Sequence, residues 1–157
     1  MGLKSKDMAV LIQNKKVRLN YEILKTLEAG IELFGYEVKS LRNKQGSLIG
    51  AHVVARGDEA FLVGATIPPF QVANTPSNYD SNRTRKLLLT KREIGELAGS
   101  ESQRGLTIVP ISVYSKNRKL KLEIAIVRGK KQHDKREDLK KKDDNRDMER
   151  AKKRQVR

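Results

Sequence analysis

The chain contains no cysteine and no tryptophan. Without thiols, a disulfide scaffold, a thiolate zinc site and a cysteine nucleophile are excluded. Only two histidines occur, His52 and His133, so a histidine metal centre would need carboxylates to complete it. Long apolar runs are also missing. The longest near the start, Met8–Ile12, is five residues, whereas a signal core needs about 7–15 and a membrane-spanning helix about 20. This run is expected to be a short strand, and the chain is expected to stay in the cytosol. Acidic residues are few: 19 Asp and Glu stand against 34 Lys and Arg, a net charge of +15 in 157 residues. That excess points to a polyanionic partner, because Lys and Arg that neutralise phosphates release condensed counterions.

Composition divides the chain near residue 128. Residues 1–128 carry 21 basic and 12 acidic side chains, and residues 129–157 carry 13 and 7. Leu139, Met148, Ala151 and Val156 are the only apolar side chains beyond the boundary. A segment so charged cannot bury enough surface to offset its ordering entropy. The tail is therefore expected to be disordered when free and to become helical on a partner.

Apolar patterning in residues 1–128 is regular. Val17–Leu33 reads as one or two strands with a bend at Glu28-Ala29-Gly30, and Phe34–Asn43 has helical spacing. Ala51–Arg56 and Glu59–Thr66 read as a hairpin turning at Gly57-Asp58. A loop follows Pro68-Pro69, and Leu87–Leu89 is a short buried strand or helix lead. Thr90 with Glu93 forms a capping box for a helix over Lys91–Leu97, ended by Gly99. Leu106–Tyr114 and Lys119–Val127 are two further strands. Five or six strands with two short helices predict a mainly β fold, a small closed OB-fold-like barrel, with another small β-barrel as the alternative.

Glu28, Glu32 and Glu37 form the one acidic cluster before the tail and could supply a Mg²⁺-dependent nuclease. Charged residues are mostly exposed, so surface carboxylates are the simpler reading. No P-loop, dinucleotide fingerprint or nucleophile elbow is present. Basic residues instead gather in five clusters: Lys15–Arg18, Lys39–Lys44, Arg83–Lys86, Lys116–Lys121 and Arg128–Lys131. One such run is an ordinary solvated face, but five on one small domain favour RNA. The aromatics are only Tyr21, Phe34, Tyr36, Phe61, Phe70, Tyr79 and Tyr114. If most serve the core, few remain to stack bases, which favours a folded RNA read by shape and phosphate position. His52 falls in a strand and reads as structural. His133, in the tail, reads either as an ordinary exposed side chain or as a ring that stacks on a base once the tail is ordered. A general rRNA-binding or assembly protein remains an alternative on charge alone.

Four blocks then occur in order after Asn14-Lys15. They are Glu28-Ala29-Gly30-Ile31, Glu37-Val38-Lys39-Ser40-Leu41-Arg42, Arg85-Lys86-Leu87-Leu88-Leu89, and Gly129-Lys130-Lys131 with His133-Asp134-Lys135-Arg136. This pattern resembles the small protein B (SmpB) family, the SsrA-binding proteins of bacteria, over essentially the whole chain from Asn14. The resemblance implies an OB-fold body, residues 1–128, that binds the tRNA-like domain of transfer-messenger RNA (tmRNA). It implies a tail, residues 129–157, that becomes helical in the decoding centre and empty mRNA channel of a stalled ribosome, leading to tagging of the nascent peptide and ribosome rescue. It further implies no catalysis and no cofactor or metal. By its motifs Asn14, Lys15, Glu28, Arg83, Arg85, Lys86 and Leu88 would face tmRNA, and Lys130 and Lys131 would hold its phosphates near the junction with the tail. Leu88 could equally be core. His133 would stack on an rRNA base of the small subunit, with Asp134, Lys135 and Arg136 fixing the start of the tail helix. Alanyl-tRNA synthetase and elongation factor Tu would act through tmRNA on a monomeric partner without a membrane. The chain departs from the pattern at Tyr36, where many relatives carry a smaller or different residue, and in the dense charge of Lys140–Asp144.

Overall fold

The computed structural model describes residues 8–130, 136, 139–142 and 146. Its elements are β1 (Met8–Gln13), α1 (Val17–Asn20), β2 (Tyr21–Ile31), α2 (Gly35–Arg42), β3 (His52–Arg56), β4 (Glu59–Val63), β5 (Arg85–Leu88), α3 (Lys91–Glu101), β6 (Leu106–Lys116) and β7 (Lys119–Gly129). A single 3-10 turn, Val72–Asn74, interrupts the long β4–β5 loop. The seven strands form one antiparallel sheet in the order β1-β6-β7-β2-β5-β4-β3.

The mainly β expectation holds, but the barrel is not closed. Within the described residues β1 and β3 are edges, and no ladder joins them. The sheet curls until β3 stands against β6, and α3 packs across both. Helix α3 supplies the reason for the open seam. The Ala55 N–H on the β3 edge donates to Glu101 Oε2 at 2.8 Å, and the Arg56 guanidinium bonds Glu101 Oε1 at 2.6 Å. A carboxylate thus satisfies an edge amide that a further strand would otherwise pair.

Inside the curl lies the main core, including Ala29, Leu41, Leu62, Leu87, Leu97, Val113, Leu122 and Ile124. A smaller cluster on the other face of β6 and β7 gathers Val109, Ile111, Ala125 and Val127 under Val17 of α1. This second cluster explains why Val17–Asn20 is helical rather than the start of a strand. Val17 is buried in it, and tertiary packing overrides the β preference of a branched residue. The irregularity in β2 falls between Ile23 and Lys25, not at Glu28–Gly30.

The hairpins turn where expected. Arg56 faces Glu59 across Gly57-Asp58, and only Gly57 of that pair has positive φ, +63°. Lys116 faces Lys119 across Asn117-Arg118, both at positive φ. The capping box at Thr90 is formed: its Oγ1 accepts from the Glu93 N–H at 3.2 Å, and Glu93 Oε1 accepts from the Thr90 N–H at 2.9 Å. The helix continues through Gly99 to Glu101, because the contact of Glu101 with β3 holds its last turn.

Candidate nucleic-acid interface

Strand β5 alternates strictly. Arg85 and Leu87 point inward and are buried, while Lys86 and Leu88 point out. Gly30 of β2 lies opposite Leu88. A Cβ on Gly30 would sit 3.1 Å from Leu88 Cβ, so the bare glycine lets the leucine lie down over the strand. Leu88 is 52% exposed, which removes the core alternative for it. Two residues earlier, on the same outward side of β2, Glu28 Oε2 accepts a hydrogen bond from the Tyr114 hydroxyl and lies 3.3 Å from Lys116 Nζ. The Tyr114 bond, with help from Lys116, holds the Glu28 carboxyl below its ordinary pKa. Burial of Tyr114 and the same bond push the tyrosine upward. Glu28 is therefore an anionic acceptor fixed on a basic surface. Lys86 pairs with Glu59 at 3.2 Å, a partly exposed contact.

Beyond this outward row, β2 and β5 lead to a second constellation. Glu37, on the first turn of α2, is wholly buried. Its Oε1 accepts from the Phe34 N–H at 2.7 Å and from Arg83 Nη2 at 2.6 Å. Its Oε2 accepts from Arg83 Nε at 3.0 Å and from Arg85 Nε and Nη2 at 3.0 and 2.7 Å. The Tyr79 hydroxyl lies 2.8 Å from Oε2 and 2.7 Å from the Ile67 carbonyl. Burial pushes the Glu37 pKa up, but the bonds from Arg83, the Phe34 N–H, Arg85 and Tyr79 outweigh it and hold the carboxyl below its ordinary value. Burial and the Glu37 charge push Tyr79 up to about 12. Arg85 spends its remaining donors on the Ala65 and Ser81 carbonyls at 2.7 and 3.0 Å. It is fully enclosed, and so cannot touch RNA in this conformation.

The third group lies at the other end of the molecule. Asn14 shapes the turn after β1: its N–H donates to the Ile111 carbonyl at 2.7 Å, its Nδ2 to the Leu48 carbonyl at 3.3 Å, and its Oδ1 accepts from the Lys16 N–H at 3.2 Å. That turn presents Lys15. Lys130 donates from its backbone N–H to the Asn20 carbonyl at 3.0 Å and from Nζ to the Arg18 carbonyl at 2.9 Å. Lys15, Lys16, Arg18 and Lys130 line one cavity with Leu19 and with Leu139 and Lys142 from beyond the body. Arg136, Leu139–Lys142 and Arg146 are helical and exposed. Lys131, His133, Asp134 and Lys135 lie outside the described residues.

The expected residues thus fall into two separated surfaces, Glu28–Lys86–Leu88–Arg83 and Asn14–Lys15–Lys130, with Arg85 beneath the first. Two expectations are corrected. Glu37 is not a surface carboxylate, because two guanidinium groups and a phenol replace its water. The aromatics do not fill the core: among the seven only Tyr114 is buried, and Phe34 and Phe70 are 47% and 40% exposed. Apolar aliphatic residues fill that space. His52 does lie in a strand but is exposed. Among the described residues no group of three His, Asp or Glu side chains converges on a metal-sized site, and no helix is long and apolar enough to cross a membrane. Sequence reasoning missed Phe34, Tyr79 and Glu37 as one unit. The Glu three positions after Phe34 signals a helix start, but nothing local announces that two arginines meet it.

Comparison with known proteins points to one family. The family model described as SmpB protein matches residues 11–154. The SsrA-binding protein of Microcystis aeruginosa is 45% identical over 98% of this chain and 100% of its own length. That of Chloroflexus aggregans is 45% identical over 100% of this chain and 99% of its own. A solved chain described under "tmRNA-SmpB: a journey to the center of the bacterial ribosome" is 40% identical and superposes with a TM-score of 0.66, covering 79% of this chain and 87% of that one.

Proposed function

The chain belongs to the SmpB family, and from that premise we propose that it binds the tRNA-like domain of tmRNA and carries it to stalled ribosomes for trans-translation. It acts as a cytoplasmic monomer and makes or breaks no bond itself. The observation that carries this reading is the full-length correspondence of the chain with SsrA-binding proteins.

The division of labour follows from charge and exposure. Residues 1–128 hold the RNA. Lys15 and Lys130 face phosphates near the junction with the tail, Lys131, next in sequence, is assigned the same role, and each neutralised phosphate releases counterions. Leu88 offers an apolar contact, and Lys86 a cation. Glu28, kept anionic by Tyr114 and Lys116, accepts hydrogen bonds from base amino groups, a contact a lysine cannot make. Arg85 contributes through Glu37, which positions Arg83. Residues 129–157 serve the ribosome. His133 stacks on a small-subunit rRNA base, Asp134, Lys135 and Arg136 start the helix, and later cations track rRNA phosphates in the empty mRNA channel. Alanyl-tRNA synthetase and elongation factor Tu meet the complex through tmRNA. The nascent chain is then tagged and the ribosome freed.

A competition experiment tests this. Labelled tRNA-like domain bound to the full chain is challenged with ordinary tRNA and an unrelated folded RNA across a salt series. Preference for the tRNA-like domain that persists at moderate salt is expected. Equal competition by all three, collapsing as salt rises, would mean a general phosphate binder.

A further inference from the structure

We propose that Arg83 and Phe34 form a stacking ledge for an unpaired nucleobase of the bound RNA, reading a base and not a phosphate. The inference deepens the RNA-binding reading above and rests on it.

The Arg83 guanidinium lies over the Phe34 ring, with Cζ 4.1 Å from the centroid. All three of its nitrogens are engaged: Nε and Nη2 with the buried Glu37, Nη2 also with the Glu32 carbonyl at 3.4 Å, and Nη1 with the Thr84 carbonyl at 3.4 Å. A phosphate-binding arginine presents its N–H fork outward. Here the Nε–Nη2 edge of the fork is engaged with a buried carboxylate, and the side chain, 25% exposed, is held as a fixed plane over the ring. Guanidinium planes and aromatic rings are surfaces on which RNA bases stack.

Phe34 cannot drift from this arrangement. Its backbone N–H is held by Glu37 Oε1. Its ring rests against Tyr36 at 5.4 Å, and Tyr36 meets Tyr79 edge-on at 4.9 Å. One buried carboxylate therefore fixes both members of the stack, and neither ordering cost recurs on binding. The ring is nevertheless 47% exposed, which wastes apolar surface unless something covers it. The occupant is set by location and charge. The ledge continues the outward row of Glu28, Leu88 and Lys86: Gly30 pairs with Leu88, Ile31 with Leu87, and the Glu32 N–H donates to the Lys86 carbonyl, just before Phe34. For a chain of net charge +15, a flat apolar group carrying a phosphate is the complementary ligand.

The test uses the full chain with Phe34→Leu, which keeps apolar bulk beneath Arg83 but removes the π-face, and Phe34→Trp, which enlarges it. Binding is measured across a salt series to the tRNA-like domain, to a hairpin with an unpaired loop, and to a blunt RNA duplex without unpaired bases. Phe34→Leu is expected to weaken the first two by about tenfold, leave the duplex unchanged and leave the salt slope unchanged. Phe34→Trp should bind at least as tightly as the parent. Unchanged affinity in Phe34→Leu, an equal loss on the duplex, a slope reduced by about one, or an equal loss in Phe34→Trp overturns the proposal. Failure of the parent chain to prefer the tRNA-like domain would overturn the functional reading instead, and the hairpin–duplex comparison would still decide the ledge.

Discussion

Glu37 and Arg85 meet through two hydrogen bonds, at 2.7 and 3.0 Å, with neither side chain open to solvent. Removing one charge of such a pair leaves the other stranded, which costs about 3–5 kcal/mol. Glu37→Gln keeps the shape and deletes the charge. It should lower stability by about that amount in urea unfolding, far more than Glu96→Gln at the exposed Lys25 pair, expected to cost about 0–1 kcal/mol. Equal effects at the two sites would show that the cluster contributes no more than a surface contact.

Acid should unfold the protein along the same coordinate. The bonds from Arg83, Phe34, Arg85 and Tyr79 overcome burial and hold Glu37 below 4.5 when folded. A depressed folded pKa stabilises the fold fully above the unfolded value and loses that contribution as pH falls through the folded one. Glu28, through Tyr114, and Glu101, where bonds from Arg56 and Ala55 outweigh burial, shift the same way. Stability is therefore expected to hold down to about pH 5 and then fall, with a shallower fall in Glu37→Gln. An identical acid limb in the variant would remove Glu37 from this account.

Gly30→Ala separates Leu88 packing from the fold. Gly30 has no positive φ, so alanine is not strained there, and fewer unfolded conformations favour it slightly. Its Cβ, however, would displace Leu88 from 3.1 Å. Near-neutral stability in urea, within about 1 kcal/mol, is expected together with weakened RNA binding like that of Leu88→Ala. Unchanged RNA binding in both would show that Leu88 is not a contact.

The β6–β7 hairpin turns on two non-glycine residues at positive φ, Asn117 at 51° and Arg118 at 67°. Asparagine tolerates this region, arginine pays for it. Arg118→Gly keeps the carbonyl that accepts from Arg42 at 2.8 Å. A gain of about 0.5–1 kcal/mol in urea unfolding is expected. A lower midpoint would mean the arginine side chain contributes more than its backbone strain costs.

Much of this fold could be read locally. Gly57-Asp58, Thr90 with Glu93, and Lys116–Lys119 each carry their turn or cap within four residues, and each forms as read. What escaped depends on distant partners. Val17–Asn20 is helical because Val17 packs on Val109, Ile111, Ala125 and Val127. The open seam depends on Glu101 reaching Ala55, 46 positions away. Within the site, Leu88 and Lys86 came from the family resemblance, because Leu87–Leu89 by itself reads as a buried run; strand alternation turns both outward and places Arg85 inside with Leu87. That arginine looks like an RNA contact until its partner 48 positions earlier is known.

Asn14 and Lys15 are adjacent, yet their side chains do different work. The Asn14 side chain is committed to Leu48 and Lys16, so it positions the turn, while Lys15 faces the basic cavity with Lys130. Lys15→Ala should weaken RNA binding and reduce the salt slope by about one. Asn14→Ala should weaken binding by letting the turn move, and also lower stability by about 1 kcal/mol. Because its effect on RNA passes through Lys15, the double variant should bind hardly worse than Lys15→Ala alone, a coupling visible in a double-mutant cycle. Additive losses in that cycle would instead make Asn14 a contact in its own right, its amide leaving Leu48 to reach the RNA.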